Sequence, residues 1–248
     1  MSETRATTAI ILAAGVGRRL GDAVDGPKVL LRFGGRSLLE RHLDALAAHG
    51  IARIVVVVGF MREAVMAEAS RLGRAVEFIT NERFREGSLV SLRAAEAVLH
   101  AGEPVLLMDG DVLYDPRMIG VLLDAPGENV LLLDRDIEPG DEPVKICLRG
   151  DRVVDFRKLP EDPGERHGES VGFFRFSAAA ASALADRLAA HVAAGRTALE
   201  YEEAIRDLIL AEPDRFRPAD VTHLPWIEID FAADVARARD EIQPLIEA

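Results

Sequence analysis

The 248-residue sequence has little cysteine, few aromatic residues (5%) and no excess of positive charge. A single cysteine, Cys147, excludes an internal disulfide framework and fits a reducing compartment. The net charge of -12 argues against sequence-independent binding to nucleic acid or to an anionic membrane, because both need a positive face. Any anionic ligand must therefore be bound by a local group of basic residues.

Long apolar runs are also missing. The longest ones, such as "IVVVVGFM", are too short to cross a bilayer. The first residues, "MSETRATT", lack the basic start and apolar segment of a secretory leader. We therefore expect a cytoplasmic protein without membrane insertion, and no sequence pattern indicates its oligomeric state.

Short β-branched runs alternate with segments of helical period, which is typical of an α/β protein. The predicted strands are "TAIILA" (8–13), "RIVVVVG" (53–59), "VEFIT" (76–80), "PVLLMD" (104–109) and "NVLLLD" (129–134). Two further runs around Gly150-Asp151, "VKICLRGDRVVDFRKL", predict an antiparallel hairpin. We expect a three-layer sandwich, with a mainly parallel, Rossmann-like twisted sheet to which the hairpin is added.

Apolar residues at helical spacing predict the covering helices. These stripes are Leu39, Leu43 and Leu46; Leu89, Leu92, Ala95 and Leu99; and Leu184, Leu188 and Val192 within 177–194. Two loops rich in proline, glycine and acid, "DIEPGDEP" and "LPEDPGERHGE", flank the hairpin. They are either a mobile cover over a site or plain solvated turns.

The segment "LAAGVGRRL" places a glycine-rich turn directly after the first predicted strand. A dinucleotide fold needs a third glycine where Leu20 stands and an acidic residue where the second strand ends in Gly59-Phe60. The Gly-Lys pair of a mononucleotide loop is missing as well. The turn instead offers backbone N–H groups together with Arg18, Arg19 and Lys28, a basic set suited to a triphosphate.

These residues resemble a known family. "LAAGVGRRL…PKVLL" is similar to the L-A-A-G-x-G-x-R-L…P-K signature of nucleotidyltransferases, which join a nucleoside triphosphate to a phosphorylated small molecule and release pyrophosphate. "MDGDVLYD", "EGSLVSLRAA", "GESVGFFRFS" and "PWIEIDFAADVARA" resemble motifs of its phosphocholine-cytidylyltransferase-like branch. The resemblance spans nearly the whole chain. It implies a Mg²⁺-dependent enzyme that uses a nucleoside triphosphate, with CTP favoured, and a small phosphorylated alcohol or phosphonate.

The resemblance also implies roles for individual residues. Arg19 and Lys28 would bind phosphates, and Asp111 and Asp230 would hold the magnesium ion. With Lys158 added, the expected catalytic residues are Arg19, Lys28, Asp111 and Lys158. The expected nucleotide-binding residues are Leu12, Ala13, Ala14, Gly15, Gly17, Arg18, Arg19, Lys28, Asn81, Ser88 and Asp109.

The chemistry supports the two aspartates independently. Magnesium prefers one or two carboxylates plus phosphate oxygens and water, and ligands bind at the carboxyl ends of strands in an open α/β sheet. Asp109 alternates with Asp111 on a strand, so we expect Asp109 to point elsewhere or to act behind the metal ligands. The alternatives are that Asp111 starts a turn and that Asp230 caps the helix carrying Phe231, Val235, Ala238 and Ile242.

Only three of the 30 basic residues are lysine, namely Lys28, Lys145 and Lys158. In so arginine-rich a chain, a lysine indicates a need for a compact, mobile charge. The family often has a lysine facing the phosphates at the position of Lys158. For Lys145 and Lys158 a simple surface charge is the alternative.

Acceptor recognition is predicted at Glu169, Tyr201, Glu202 and Trp226. The carboxylates of Glu169 and Glu202 suit an amine or hydroxyl groups. The alternative is that these are surface or half-buried residues. Asn81 and Ser88 are predicted to read the base edge, or Asn81 simply ends its strand. Val90 stands where the choline-type pattern has an aromatic residue, and Gly87-Ser88 replaces a pair of asparagines, so the chain departs from a choline enzyme.

We expect one domain, 1–248, with a nucleotide-binding core in 1–134 and an acceptor-side part in 135–248. Three alternatives remain at this point. The chain could be a sugar-1-phosphate nucleotidyltransferase that uses another nucleoside triphosphate, or a nucleotide-sensing homologue without turnover. A nicotinamide-dependent oxidoreductase is disfavoured by Leu20 and Gly59.

Overall fold

The computed structural model describes residues 8–23, 26–137 and 140–247. Most of "MSETRATT", on which the expected localisation partly rests, lies outside the described residues. None of the helices formed by the described residues combines the length and the apolar character that a membrane-spanning helix needs.

The strands follow the predicted order closely. Their bounds are β1 Thr8–Ala13, β2 Arg32–Phe33, β3 Arg36–Ser37, β4 Arg53–Val58, β5 Glu77–Thr80, β6 Val105–Asp109, β7 Val112–Tyr114, β8 Asn129–Asp134, β9 Lys145–Arg149, β10 Arg152–Arg157, β11 Arg166–Phe176, β12 Phe216–Asp220 and β13 Trp226–Glu228. The five predicted parallel-type strands and the hairpin around Gly150 are confirmed within a few residues.

Helices occupy the connections. Their bounds are α1 Leu38–Ala48, α2 Arg62–Arg71, α3 Ser88–Ala94, α4 Glu96–Leu99, α5 Arg117–Asp124, α6 Ala178–Ala193, α7 Glu202–Ala211, α8 Ala232–Arg237 and α9 Gln243–Ile246. Short 3₁₀ turns lie at Arg18–Ala23, Lys28–Leu30 and Pro213–Arg215, and a π-helical turn lies at Ala238–Ile242.

The described residues form a nine-stranded sheet with the central order β10-β9-β11-β6-β1-β4-β5. β1 pairs in parallel with both β4 and β6, and β4 pairs in parallel with β5. β11 runs antiparallel to β6, β8 and β9, and β8 pairs in parallel with β12. This mainly parallel sheet with an antiparallel hairpin at one edge confirms the expected fold class.

Both faces of the sheet are buried, which explains the nearly continuous β-branched runs. Ile10 and Val55 pack in one apolar cluster, whereas Ile11 and Val56 pack in the cluster on the opposite face. Helices cover each cluster because a sheet buried on both faces needs an apolar partner on each side.

The predicted helix stripes are buried except for the partly buried Val192, and the second stripe differs in its helix structure. In α1, Leu39, Leu43 and Leu46 are fully buried, and α6 begins after Ser177, whose hydroxyl accepts a hydrogen bond from the Ala180 N–H. The stripe from Leu89 to Leu99 is not one helix, because the chain turns at Ala95 between α3 and α4. Its apolar residues still face the core.

A small third cluster joins the two ends of the chain. It consists of Leu20, Phe33, Leu38, Leu113, Ile227, Ile229 and Ala238. This packing holds the segment after β13 against the glycine-rich turn after β1. Arg19 and Lys28 are thereby brought to the same edge of the sheet as residues 228–230.

Candidate functional site

The candidate site lies at the carboxyl ends of β1 and β6, where neighbouring parallel strands present their last residues at one edge. The Gly110 N–H donates to the Leu12 carbonyl at 2.9 Å, which ties the turn after β6 to the end of β1. The Ile229 N–H donates to the Asp111 carbonyl at 3.0 Å. These bonds place Asp111 and Asp230 on neighbouring segments of backbone.

The glycine-rich turn is open where a ligand would approach it. A Cβ atom built on Gly15 would meet nothing within 4 Å. Gly17 has a φ of +66°, a conformation that favours glycine, and a Cβ there would lie 3.3 Å from the Lys28 side chain. Leu20, at the position of the missing third glycine, is 4% exposed and packs in the third cluster. Because the Leu20 side chain packs in this apolar cluster, the position takes a leucine and not the third glycine of the dinucleotide pattern.

Basic and acidic side chains meet directly above the turn. Lys28 Nζ lies 2.9 Å from Asp111 Oδ2 and 2.7 Å from Asp230 Oδ1. Arg19 Nη1 lies 2.8 Å from Asp230 Oδ2 and 3.0 Å from Glu142 Oε2. Four groups that the sequence predicts to act together, Arg19, Lys28, Asp111 and Asp230, are therefore in one cluster.

The charges in this cluster stabilise one another. Burial disfavours the charged form of Lys28, but the carboxylates of Asp111 and Asp230 outweigh it and raise the pKa of Lys28. Burial likewise opposes ionisation of Asp230, while Lys28 and Arg19 hold the pKa of Asp230 below its usual value. Both groups are thus charged near neutral pH.

Glu228 belongs to the same cluster and was missed by the sequence reasoning. Asp111, Glu228 and Asp230 each offer one carboxylate oxygen, and the three oxygens lie within 4.8 Å of one another. The signal was present, because Glu228 and Asp230 alternate in "WIEID" and so share a face of the extended chain. Three hard oxygen donors form a set that fits Mg²⁺.

The charge on Glu228 depends on what fills the cleft. Its side chain is exposed toward the cleft. Its pKa is raised above the usual value, first because hydration of the carboxylate is restricted there and second because Asp111 and Asp230 carry like charges. A divalent cation among these carboxylates would relieve that repulsion.

The alternative for Asp230, that it caps the helix carrying Phe231, Val235, Ala238 and Ile242, is wrong. Phe231 precedes α8, and it is the Asp234 carboxylate that accepts hydrogen bonds from the Asp230 and Phe231 N–H groups, at 2.9 Å and 2.7 Å. The Asp230 carboxylate is free of this capping task and turns toward Lys28. Phe231 is 42% exposed, so it does not contribute to the apolar helix face as expected.

Asp109 lies outside the carboxylate cluster but faces the same cavity. Its Oδ2 atom accepts a hydrogen bond from the Tyr201 hydroxyl at 2.6 Å. Burial, followed by the charge of Asp111, raises the pKa of Asp109. Gly172 has a φ of +78°, and a Cβ there would overlap the Asp109 carboxylate, so this position requires glycine.

Two adjoining cavities of about 240 Å³ and about 370 Å³ share Glu142, Glu228 and Asp230 in their linings. The first, called here the nucleotide-side cavity, is bounded by the glycine-rich turn and by residues of α3 and α7. The second, called here the outer cavity, lies beside β13 and the loop before β9.

Most of the predicted nucleotide-binding residues line the nucleotide-side cavity or a small recess beside it. Leu12, Ala14, Gly15, Arg19, Ser88 and Asp109 line the nucleotide-side cavity, while Ala13, Gly17 and Lys28 line a small recess beside it. Arg18 turns away and donates to the Arg85 carbonyl at 3.0 Å.

Asn81 stands behind the cavity rather than among its lining residues. It is buried, and its Nδ2 donates to Ser91 Oγ at 3.0 Å while its Oδ1 accepts from the Arg83 N–H at 2.9 Å. The contacts support the alternative in which Asn81 ends its strand. Asn81 thus reaches the cavity only indirectly, through its hydrogen bond to Ser91, which lines it.

The predicted acceptor residues are also divided. Tyr201 and Glu202 line the nucleotide-side cavity, whereas Glu169 and Trp226 line the outer cavity. The Trp226 indole donates to Asp134 Oδ2 at 2.7 Å, which fixes its ring in the wall. The structure therefore does not bring the four residues into one subsite.

The two lysines of the hairpin differ in role. Lys158 faces the nucleotide-side cavity, with its Nζ 3.2 Å from Glu142 Oε2 and 3.0 Å from Glu200 Oε1. Lys145 donates to the Lys158 carbonyl at 2.8 Å and holds the backbone of its neighbour. Lys158 thus lies at the cavity as a member of an ion-pair network with Glu142 and Glu200.

The flanking loops differ as well. Glu142 in "DIEPGDEP" contacts Arg19 and Lys158 across the cavity, although residues 138–139 of this loop lie outside the described residues. In "LPEDPGERHGE", the N–H groups of Glu161 and Asp162 donate to Asp155, which ties this loop to the hairpin as a turn.

Comparisons with known proteins agree with this geometry. The MobA-like NTP transferase domain family matches residues 9–200. The chain is 30% identical to a CMP-5'-(3-aminopropyl)phosphonate synthase of Streptomyces rubellomurinus, over 95% of this chain and 39% of that protein. It is 30% identical to a bifunctional IPC transferase and DIPP synthase of Rubrobacter xylanophilus, over 94% of this chain and 51% of that protein. The chain thus spans 39% and 51% of the length of these two curated relatives.

Among solved structures, the inositol-1-phosphate CTP transferase from T. maritima superposes with a TM-score of 0.79 and 20% identity, over 99% of this chain and 96% of that one. A similarity at this level of identity shows a shared fold.

Proposed function

The chain belongs to the MobA-like NTP transferase family, and on that premise we propose that it is a metal-dependent cytidylyltransferase. It would couple CTP to a small phosphorylated alcohol or phosphonate and release pyrophosphate. The family match confirms the resemblance predicted from the glycine-rich turn and its distant motifs.

One observation carries the proposal. Three carboxylate oxygens, from Asp111, Glu228 and Asp230, gather within 4.8 Å of one another beside Lys28 and Arg19, at an open glycine-rich turn. A regulatory protein that only senses nucleotide needs the turn and the cations. The additional carboxylate cluster is what a transfer reaction needs, because it can hold a cation on the reacting phosphates.

In the proposed reaction, an oxygen of the acceptor phosphate or phosphonate attacks the α-phosphorus of the nucleotide. The new P–O bond forms as the bond between the α-phosphorus and the bridging oxygen breaks, and pyrophosphate leaves in line. No protein nucleophile is required, so the protein acts by positioning and by neutralising charge.

Different residues of this chain would contribute to the positioning and to the neutralisation of charge. Asp111, Glu228 and Asp230 would hold Mg²⁺, which when bound neutralises phosphate charge. Lys28 and Arg19, now paired with carboxylates, would turn to phosphate oxygens, and Lys158, which shares the Glu142 carboxylate with Arg19, would contact the same anions. Backbone N–H groups of the turn at Gly15 would donate to the phosphates.

Two lines of support favour CTP. The relative from Streptomyces rubellomurinus is named for a CMP-linked product, and the superposed T. maritima structure is a CTP transferase. The position of Ser88 and Ser91 in the cavity wall is suited to hydrogen bonding with a base edge.

The test is a matrix of four nucleoside triphosphates against phosphorylated alcohols, aminoalkylphosphonates and hexose 1-phosphates, read by pyrophosphate release with Mg²⁺. We expect turnover with CTP and with an acceptor other than a hexose 1-phosphate. Turnover only with another triphosphate and a hexose 1-phosphate would favour the sugar-nucleotide alternative, and tight CTP binding without any product would favour the sensing alternative.

Two variants test the carboxylate cluster. Asp111→Asn and Asp230→Asn should each lower kcat by about 1000-fold, because loss of the bound metal removes several kcal/mol of charge stabilisation. Asp186→Asn, in an exposed position of α6, is the matched control and should leave kcat unchanged. Circular dichroism must show that all three variants are folded. Retained turnover in both cluster variants would overturn the metal assignment.

A further inference from the structure

Glu202 has an unusual environment in the nucleotide-side cavity. It is the first residue of α7 and follows Tyr201, and it also lines a shallow recess beside Lys158 and Leu159. Its Oε2 atom is buried and accepts no hydrogen bond from the described part of the chain. A buried carboxylate oxygen without a donor is unfavourable, so it indicates a place for a donor supplied by a ligand.

The charges around Glu202 determine what kind of donor fits. Burial, followed by the charge of Glu200, raises the pKa of Glu202 to about 8. The nearby cations are already engaged, since Lys158 contacts Glu142 and Glu200. Acidic side chains outnumber basic ones in the described lining of the cavity. A further anionic group directly beside Glu202 would therefore be repelled, whereas a cation there would be attracted and would favour the ionised form of Glu202 despite its raised pKa.

The side chains around Glu202 determine which kind of cation fits. A quaternary ammonium has no hydrogen to donate and is bound by aromatic faces. Tyr201 is buried with its hydroxyl committed to Asp109, and Trp226 lies in the wall of the outer cavity. Neither of these rings forms a cage around Glu202, and the Phe84 ring, which also lines the nucleotide-side cavity, lies against the Arg85 guanidinium. A primary ammonium supplies both the missing hydrogen-bond donor and the missing positive charge.

We propose that the acceptor is a short phosphate or phosphonate that carries a primary amine, an inference that rests on the proposed function. Glu202 determines this specificity by binding the ammonium group. The anionic end of the acceptor would then face Arg19, Lys158 and the carboxylate-held metal. Glu202 would lie on the α7 side of the same cavity.

The test compares acceptors that differ only in the terminal group. 2-Aminoethylphosphonate and 3-aminopropylphosphonate are paired with their hydroxyl analogues, and phosphoethanolamine with phosphocholine. With CTP and Mg²⁺, the wild-type protein should have a kcat/KM about 10- to 100-fold higher for the better amine than for its hydroxyl partner, as expected for one charge-assisted hydrogen bond. Phosphocholine should be turned over less well than phosphoethanolamine.

Glu202→Gln keeps the size of the side chain and removes its charge. We expect it to raise KM for the amine about 10-fold or more, and to leave both KM for CTP and turnover of the hydroxyl analogue within about threefold. Glu202→Asp should retain part of the selectivity. Glu212→Gln, at the exposed C-terminal end of the same helix, is the control and should behave as wild type.

The outcomes separate this inference from the proposed function. No turnover with any acceptor and any triphosphate would refute the proposed function itself. Turnover confined to phosphorylated polyols or phosphocholine, equal use of amine and hydroxyl acceptors, or unchanged selectivity in Glu202→Gln would refute only the role of Glu202. The wild-type comparison remains decisive even if the variants do not fold.

Discussion

His42 is a residue whose ionisation depends on the folded core. Its ring lies 5.2 Å from the ring of Tyr114 and 6.1 Å from that of Phe173, and it is fully buried next to Gly110. Burial lowers the pKa of His42 to about 4. In the unfolded chain its pKa returns to about 6.5, so acid favours the unfolded state.

The contribution of His42 to stability is complete above about pH 6.5 and is lost as the pH falls from about 6.5 toward 4. We expect the free energy of unfolding to decrease by about 2 kcal/mol from this residue between pH 7.5 and pH 5. Urea denaturation at both pH values measures the decrease. His42→Phe should remove this part of the pH dependence, whereas His100→Gln, at a partly exposed position, should not. An identical decrease in His42→Phe would contradict the assignment.

At the scale of elements, the loop between β8 and β9 places an anion where phosphates are proposed to bind. Glu142 Oε2 lies 3.0 Å from Arg19 Nη1 and 3.2 Å from Lys158 Nζ, and all three side chains line the nucleotide-side cavity. A triphosphate that binds both cations must displace this carboxylate. The loop therefore competes with the proposed substrate.

Glu142→Gln should lower KM for the nucleotide by about two- to fivefold, because exposed ion pairs of this kind are worth up to about 1 kcal/mol each. Steady-state kinetics with varied CTP measures the change. Glu161→Gln, in the loop after β10 that is tied to the hairpin, is the control and should leave KM unchanged. A higher KM in Glu142→Gln would mean that this carboxylate assists nucleotide binding.

At the scale of the whole molecule, the two expected parts of the single domain, 1–134 and 135–248, contribute strands to the same sheet. β11, from the second part of the chain, pairs with both β6 and β8 from the first part, and β12 pairs with β8. The two parts share one sheet and its two apolar clusters, so neither can bury its core alone.

We therefore expect a single cooperative unfolding transition. The fluorescence of Trp226, which lies in the second part, and the far-ultraviolet circular dichroism of the whole chain should give the same denaturation midpoint. The fragment 1–134 should not fold by itself. Two separated transitions, or a folded fragment, would show that the parts are independent units.

Local patterns account for much of what could be predicted. β-branched runs indicated the buried strands because both sheet faces are covered, and Gly150-Asp151 indicated the hairpin turn. The short strands β12 and β13 carry weak patterns, and their pairing with β8 and β7 depends on distant residues. Glu228 was missed although it alternates with Asp230, because its relevance appears only when the strand ends lie side by side.

The sequence by itself determined the α/β class, the glycine-rich turn and the types of residue that suit phosphate and metal, since these follow from local spacing and side-chain chemistry. Only the tertiary structure decided which of them meet. It brought Glu228 to Asp111 and Asp230, placed Arg18 and Asn81 outside the cavity lining, and left one oxygen of Glu202 buried without a donor among the described residues. Such contacts join residues far apart in the chain, and packing of the two ends sets them.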